Sequence, residues 1–163
     1  MTGRHWYEII AEMVAAEGVR DVFALLGDAN MHMATHLAAL GTRMIHVRHE
    51  HCAVGAAMAH ARKSGQVGVA TVTCGPGLTQ LMTALPAAVR ARIPLVVLAG
   101  ETPLGSGWYN QGIDQAPFVT ATGAAYHSLH HPPRFAVGIR DAFLQARTEM
   151  RPVVVGIPFD LAE

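Results

Sequence analysis

Gly65-Gln66-Val67-Gly68-Val69-Ala70-Thr71-Val72-Thr73-Cys74-Gly75-Pro76-Gly77-Leu78-Thr79-Gln80 is an apolar, β-branched run that ends in a glycine-bracketed proline turn and opens into helix-forming residues. Its apolar core is continuous rather than alternating, which is the pattern of a strand covered on both faces. Val19 to Leu25 reads the same way, so both strands are expected to be central. Outward from this unit, strand-length apolar runs alternate with amphipathic stretches along the whole chain, the signature of a parallel sheet covered by helices.

The expected strands are Asp21 to Leu26, Arg43 to Val47, Val67 to Cys74, Leu95 to Gly100, Ala124 to Leu129 and Val153 to Pro158. The expected helices run near His5 to Glu17, Ala29 to Ala39, Glu50 to Lys63, Leu78 to Arg90, Pro117 to Thr122 and Arg134 to Glu149. The fold class is α/β, a doubly wound six-stranded parallel sheet with helices on both faces. Gly18 and Gly65 follow helical stretches and suit the left-handed residue that ends a helix. Glu101 to Gln115 is the one long irregular stretch, and such a loop inside a compact domain is often functional.

The 163 residues fit a single domain, 1–163, with no linker, repeat or low-complexity tract. Twelve basic and twelve acidic side chains cancel, which leaves no electrostatic footprint for nucleic acid or an anionic membrane. The first residues lack a signal-peptide layout, and no apolar run approaches the roughly 18 residues of a membrane span, so a cytoplasmic protein is expected. Cys52 and Cys74 have no metal or disulfide spacing and read as reduced, small, buried residues. The groups His46, His49, His51 and His127, His130, His131 lack zinc-site spacing, so no metal site is expected in this chain. His49 and His51 are expected to flank or orient Glu50.

In a doubly wound sheet the ligand crevice lies beyond the carboxyl ends of the strands. Leu26-Gly27-Asp28-Ala29-Asn30, His49-Glu50-His51, Cys74-Gly75-Pro76-Gly77 and the loop after Glu101 therefore converge on one edge. On residue chemistry alone, Glu50 is a first-turn acid that suits a helix amino end, and Asp28 is a candidate helix cap. Gly75-Pro76-Gly77 is a tight turn that permits close backbone approach. Trp108 and Tyr109 are candidates for buried packing or an interface.

Val47-Arg48-His49-Glu50-His51 and the helix after it, together with Thr73-Cys74-Gly75-Pro76-Gly77-Leu78-Thr79-Gln80, resemble the pyrimidine-binding (Pyr) domain of thiamine diphosphate enzymes, closest to the acetolactate synthase branch. The second stretch matches that family's Thr-Ser-Gly-Pro-Gly-x-Thr-Asn, with Cys74 for serine and Gln80 for asparagine. Val22-Phe23-Ala24-Leu25-Leu26-Gly27-Asp28 is similar to its first-strand motif, with Leu26 where proline is usual. Asn110-Gln111-Gly112-Ile113-Asp114 is similar to Phe-Gln-Glu-x-Asp, with Gln111 and Asp114 retained.

The resemblance implies that Glu50 is the acid that hydrogen-bonds the cofactor's aminopyrimidine ring, the carbanion chemistry being the cofactor's own. It implies cofactor contacts from Gly75, Pro76 and Gly77, from Gly27 and Asp28, and from Gln111. The cofactor is thiamine diphosphate, with Mg2+ held by a diphosphate-binding domain bearing a Gly-Asp-Gly motif. That motif does not occur in these 163 residues, and Pro152 to Asp160 matches the stretch where the family's first domain finishes. The implied partners are that diphosphate-binding domain or subunit, a second copy in at least a dimer, and a 2-oxo acid substrate. Three alternatives stay open: a naturally split subunit of a 2-oxo acid decarboxylase, a non-catalytic oligomeric scaffold of the same fold, and a nucleotide-binding α/β domain with a phosphate at the Gly75-Pro76-Gly77 turn.

Overall fold

The structure is a computed structural model that describes residues 4–161. Its centre is one six-stranded parallel sheet in the order β2-β1-β3-β4-β6-β5. The strands are β1 (Asp21–Ala24), β2 (Arg43–His46), β3 (Gly68–Val72), β4 (Leu95–Glu101), β5 (Ala125–Ser128) and β6 (Pro152–Pro158). The helices are α1 (Trp6–Ala16), α2 (Met31–Ala39), α3 (Glu50–Ser64), α4 (Pro76–Thr79), α5 (Ala84–Arg90), α6 (Gln115–Ala121) and α7 (Phe135–Glu149). All residues of β3 and β6 are buried, as continuous apolar runs require, and β1 and β3 are interior strands.

Successive strand side chains feed two cores, because β-strand side chains alternate between faces. Val22, Val69, Val96, Leu98, Val153 and Val155 face α1, α2 and α7, where Ile10, Leu37, Phe135 and Phe143 are buried. Phe23, Ala70, Val72, Val97 and Val154 face α3, α5 and α6, against Ala53, Ala57, Leu85 and Val119. The small residues of α3 let it lie close on the sheet. A Cβ added at Gly68 would stand 2.2 Å from the Ala57 carbonyl oxygen, so bare backbone is required at this contact. This packing fixes the height of Glu50, the first residue of α3.

Gly65 ends α3 at φ +73°, and Gly18 follows α1 at φ +80°, both in the expected left-handed conformation. The helix expected from Leu78 to Arg90 is instead two, α4 and α5, separated by a turn. Pro86 explains the break: deep inside one long helix its ring would meet the Met82 carbonyl, whereas in the first turn of α5 its missing amide costs little. Several strands are shorter at their carboxyl ends than expected; β1 stops at Ala24 and β3 at Val72, because the next residues turn out to form the site. Cys74 is buried but Cys52 is exposed, on the outward side of the first turn of α3.

Candidate active site

The chain leaves β1 for one face of the sheet through α2 and leaves β3 for the other through α4, so the switch point lies between these neighbours. Ligand crevices in such sheets open there. The two strand ends approach closely: a Cβ on Gly27 would stand 2.8 Å from Cβ and Oγ1 of Thr73. Gly27 is therefore required by contact with Thr73.

Asp28 is exposed and makes no side-chain hydrogen bond among the described residues, so it does not cap α2. Asn30 holds this turn instead. It is 2% exposed, its Oδ1 accepts the Gly27 amide at 2.8 Å, and its Nδ2 donates to the Leu25 carbonyl and Thr71 Oγ1 at 3.1 and 3.0 Å. Thr71 passes the connection on to the Leu98 carbonyl at 2.9 Å.

Glu50 is half-buried at the amino end of α3, where a carboxylate suits the free amides. His49 caps the helix by accepting the His51 amide on Nδ1 at 3.1 Å, and the two rings stand edge to face. Both histidines flank Glu50 through the backbone. The Glu50 carboxylate reaches the turn after β3, since a Cβ on Gly77 would come within 3.5 Å of Glu50 Oε1 and 2.9 Å of Thr73 Cγ2. Pro76 is the exposed first residue of α4.

Gly75 adopts φ +53° and ψ −104°, a conformation open to glycine alone. Its vacant side-chain position is filled by the protein itself: a Cβ there would lie 1.9 Å from the Gln111 carbonyl oxygen. The loop from Thr102 to Asp114 thus folds back over the turn. The Cys74 thiol donates to Gln111 Oε1 at 3.1 Å and lies 3.7 Å from the Tyr109 hydroxyl. Burial, then the neighbouring Cys74 and the charge of Asp28, pushes the Tyr109 phenol up to about 12. Gln111 and Asp28 are therefore gathered on the same side of the site as Cys74.

Beneath this loop lies Gln115, a buried residue that the sequence reading passed over. Its Oε1 accepts the Gly75 amide at 3.2 Å, while Nε2 donates to the Gly100 carbonyl at 2.9 Å and to the Tyr126 hydroxyl at 3.4 Å. Tyr126 donates to Glu101 Oε1 at 3.0 Å, and Ser128 donates to the other carboxylate oxygen. Burial and the adjacent Glu101 charge raise the Tyr126 phenol well above its ordinary range. Gly156 makes room for this network, as a Cβ there would stand 2.4 Å from the Tyr126 hydroxyl. A polar residue opening a short helix carries no periodic signal, so only burial reveals Gln115. Trp108 is 80% exposed, which removes the buried-packing role and leaves an interface role open.

Chemically, the edge offers a carboxylate, a small-residue turn beside it, a thiol and an amide. This set suits a flat ring carrying both donors and acceptors. Among the described residues no group of three or more His, Cys, Asp or Glu side chains is placed to hold a metal ion. No described helix is long and apolar enough to cross a membrane.

Comparison with known proteins follows the same lines. Residues 4–118 match the family "Thiamine pyrophosphate enzyme, N-terminal TPP binding domain". Sulfoacetaldehyde acetyltransferase of Castellaniella defragrans is 35% identical over 156 residues, 94% of this chain and 26% of that protein. Human 2-hydroxyacyl-CoA lyase 2 is 36% identical over 161 residues, 97% of this chain and 26% of that protein. Chloroplastic acetolactate synthase 2 of Nicotiana tabacum is 30% identical over 164 residues, 96% of this chain and 24% of that protein. The chain spans about a quarter of the length of these curated relatives. Motifs, topology and matched residues coincide: the chain belongs to the thiamine pyrophosphate enzyme family, as its N-terminal TPP binding domain.

Proposed function

We propose that this domain supplies the pyrimidine-binding side of a thiamine diphosphate-dependent enzyme acting on a 2-oxo acid, with Glu50 as the acid that engages the cofactor's ring. The observation that carries the reading is the Glu50 carboxylate lying against Gly77 at the β1/β3 switch point, where a flat ring meets both an acid and a backbone without side chains. Thiamine diphosphate supplies the electron sink for cleaving or joining the bond next to the substrate carbonyl. Glu50 holds or releases a proton at its carboxylate; Gly77 keeps the approach open; Gln111 and Cys74 close the far side against water. Gly75, Pro76, Gly27 and Asp28 shape the surrounding edge.

This reading assigns the diphosphate and its Mg2+ to oxygen ligands on a partner domain or subunit, since Mg2+ demands several oxygens in octahedral array. A second copy of the chain completes at least a dimer. Cys52 and Cys74 are both unpaired, which accords with a cytoplasmic setting. Carboligation of the acetolactate synthase type and lysis are the two reaction classes that the names of the relatives suggest.

The test is Glu50→Gln in the complete enzyme. We expect turnover to fall at least about 100-fold, the ordinary contribution of a positioned acid or base, with an unchanged melting temperature. Retention of turnover sinks the assignment.

A further inference from the structure

A cavity of about 550 Å³ lies at the opposite edge of the sheet from the candidate active site. It opens where α1, α3, α5 and α7 end and where β1, β3 and β4 begin. Its inner wall is apolar and spans both cores: Ile93 and Phe143 are buried, and Val19 and Val67 are partly so. The volume falls within the ordinary range of small-molecule sites.

Three arginines, Arg62, Arg92 and Arg147, stand around this wall against a single acid, Glu17. Arg147 is held in place: its Nη2 donates to Glu17 at 2.7 Å, and its guanidinium lies 5.5 Å from the centre of the Phe143 ring. Arg62 and Arg92 make no side-chain hydrogen bond or ion pair among the described residues. Both are exposed, so their guanidinium groups are hydrated at the cavity rim and free to meet an anion from solution.

Arg92 also sits in strained backbone. Two glycines at this edge, Gly18 and Gly65, end helices in the left-handed conformation without penalty. The corresponding residue after α5 is Arg92 at φ +51°, where a side chain is disfavoured and glycine is free. Met150 ends α7 beside the same cavity at φ +51° as well, so the left-handed backbone belongs to helix termination, and what sets Arg92 apart is its charge at the cavity rim. The competing role is local: carbonyls at helix carboxyl ends favour a nearby cation. That role predicts that losing Arg92 weakens the fold.

We propose that this cavity is a ligand site for an amphipathic organic anion, its apolar body on Phe143, Val67 and Ile93 and its carboxylate or equivalent oxyanion between Arg62 and Arg92. The site is physically separate from the cofactor edge, so it stands or falls independently of the thiamine assignment.

The experiment titrates the chain with decanoate, with decanol as the uncharged analogue and inorganic phosphate as the anion without a body, followed by calorimetry and by NMR shifts. Decanoate is expected to saturate one site, with shifts confined to the residues around Val19, Arg62, Arg92 and Phe143. Decanol and phosphate should bind at least about tenfold more weakly, the worth of a charge-assisted contact or of the apolar body. Arg62→Gln and Arg92→Gly should each weaken decanoate about tenfold. Arg92→Gly should also raise the melting temperature by about 2 to 4 °C through relief of the left-handed strain. Equal binding of decanol, absence of saturation by decanoate, or a lowered melting temperature in Arg92→Gly with unchanged decanoate binding would overturn the proposal.

Discussion

The tightest constraint at the site is a single missing side chain. Gly75 has a positive φ and the Gln111 carbonyl stands where its Cβ would be, so two separate penalties meet at one atom. Alanine there forces a left-handed non-glycine residue, costing on the order of 1 to 3 kcal/mol, and pushes the loop off the turn. The Gly75 amide would then move away from Gln115 Oε1, a buried acceptor that costs free energy when left alone. Gly75→Ala should lower the melting temperature by roughly 5 to 10 °C, given about 2 to 4 °C per kcal/mol for a domain of this size. A thermal scan with no change would show that the loop yields without cost. Gly77→Ala differs, because its added Cβ meets Thr73 Cγ2 and the tip of Glu50 rather than backbone.

At the scale of elements, the long loop after β4 is held near its start and at its middle. Asp160, in the short 3-10 turn Phe159–Leu161 after β6, accepts the Leu104 and Gly105 amides at 3.0 and 2.9 Å. Tyr109 stacks on Phe159 at 6.2 Å and leans toward Cys74. A phenol pushed up to about 12 stays neutral in the fold while its unfolded counterpart ionises near 10. Stability from Tyr109 is thus fully present below pH 10 and is lost as pH rises toward about 12. Denaturant titrations across that window should show a decline that Tyr109→Phe removes. An identical decline in the variant would assign the alkaline loss to other groups.

The same elements show what was legible beforehand. Continuous apolar runs announced β1 and β3 as interior strands because they leave a local signal in composition, whereas Glu50 was by its own chemistry a first-turn helix acid and became a site candidate only through the family resemblance. The brace residues Asn30 and Gln115 left none. Each is a single polar side chain whose role exists only when distant segments meet: Asn30 with Thr71, and Gln115 with Gly75, Gly100 and Tyr126. Asp28 drew the cap assignment because Asp at a strand-to-helix junction is the common cap, yet it points outward and Asn30 closes the turn. Pro86 was the one visible local sign against a single long helix from Leu78 to Arg90.

For the whole molecule, the edge that carries the candidate site presents several large apolar side chains to water. Leu26 in the loop after β1, Met31 at the start of α2, and Leu104 and Trp108 in the loop after β4 are all substantially exposed. Exposed large apolar residues gathered at one edge mark an interaction surface. Trp108 matters most, since an aromatic ring that is 80% exposed and lies on a pinned loop is a rigid contact with little ordering entropy left to lose. Helices cover both cores, and Leu144 on α7 and Phe118 on α6 are exposed singly on the outer faces, whereas Leu104 and Trp108 share one loop. We therefore expect the chain to form at least a dimer through the candidate-site edge, in which Trp108 of each copy is covered. Light scattering at micromolar concentration should give twice the monomer mass or more, and Trp108→Ser should return it to monomer with the fold intact by circular dichroism. A monomeric wild-type chain would defeat the dimer. A Trp108→Ser chain that stays dimeric would place the contact elsewhere on the surface.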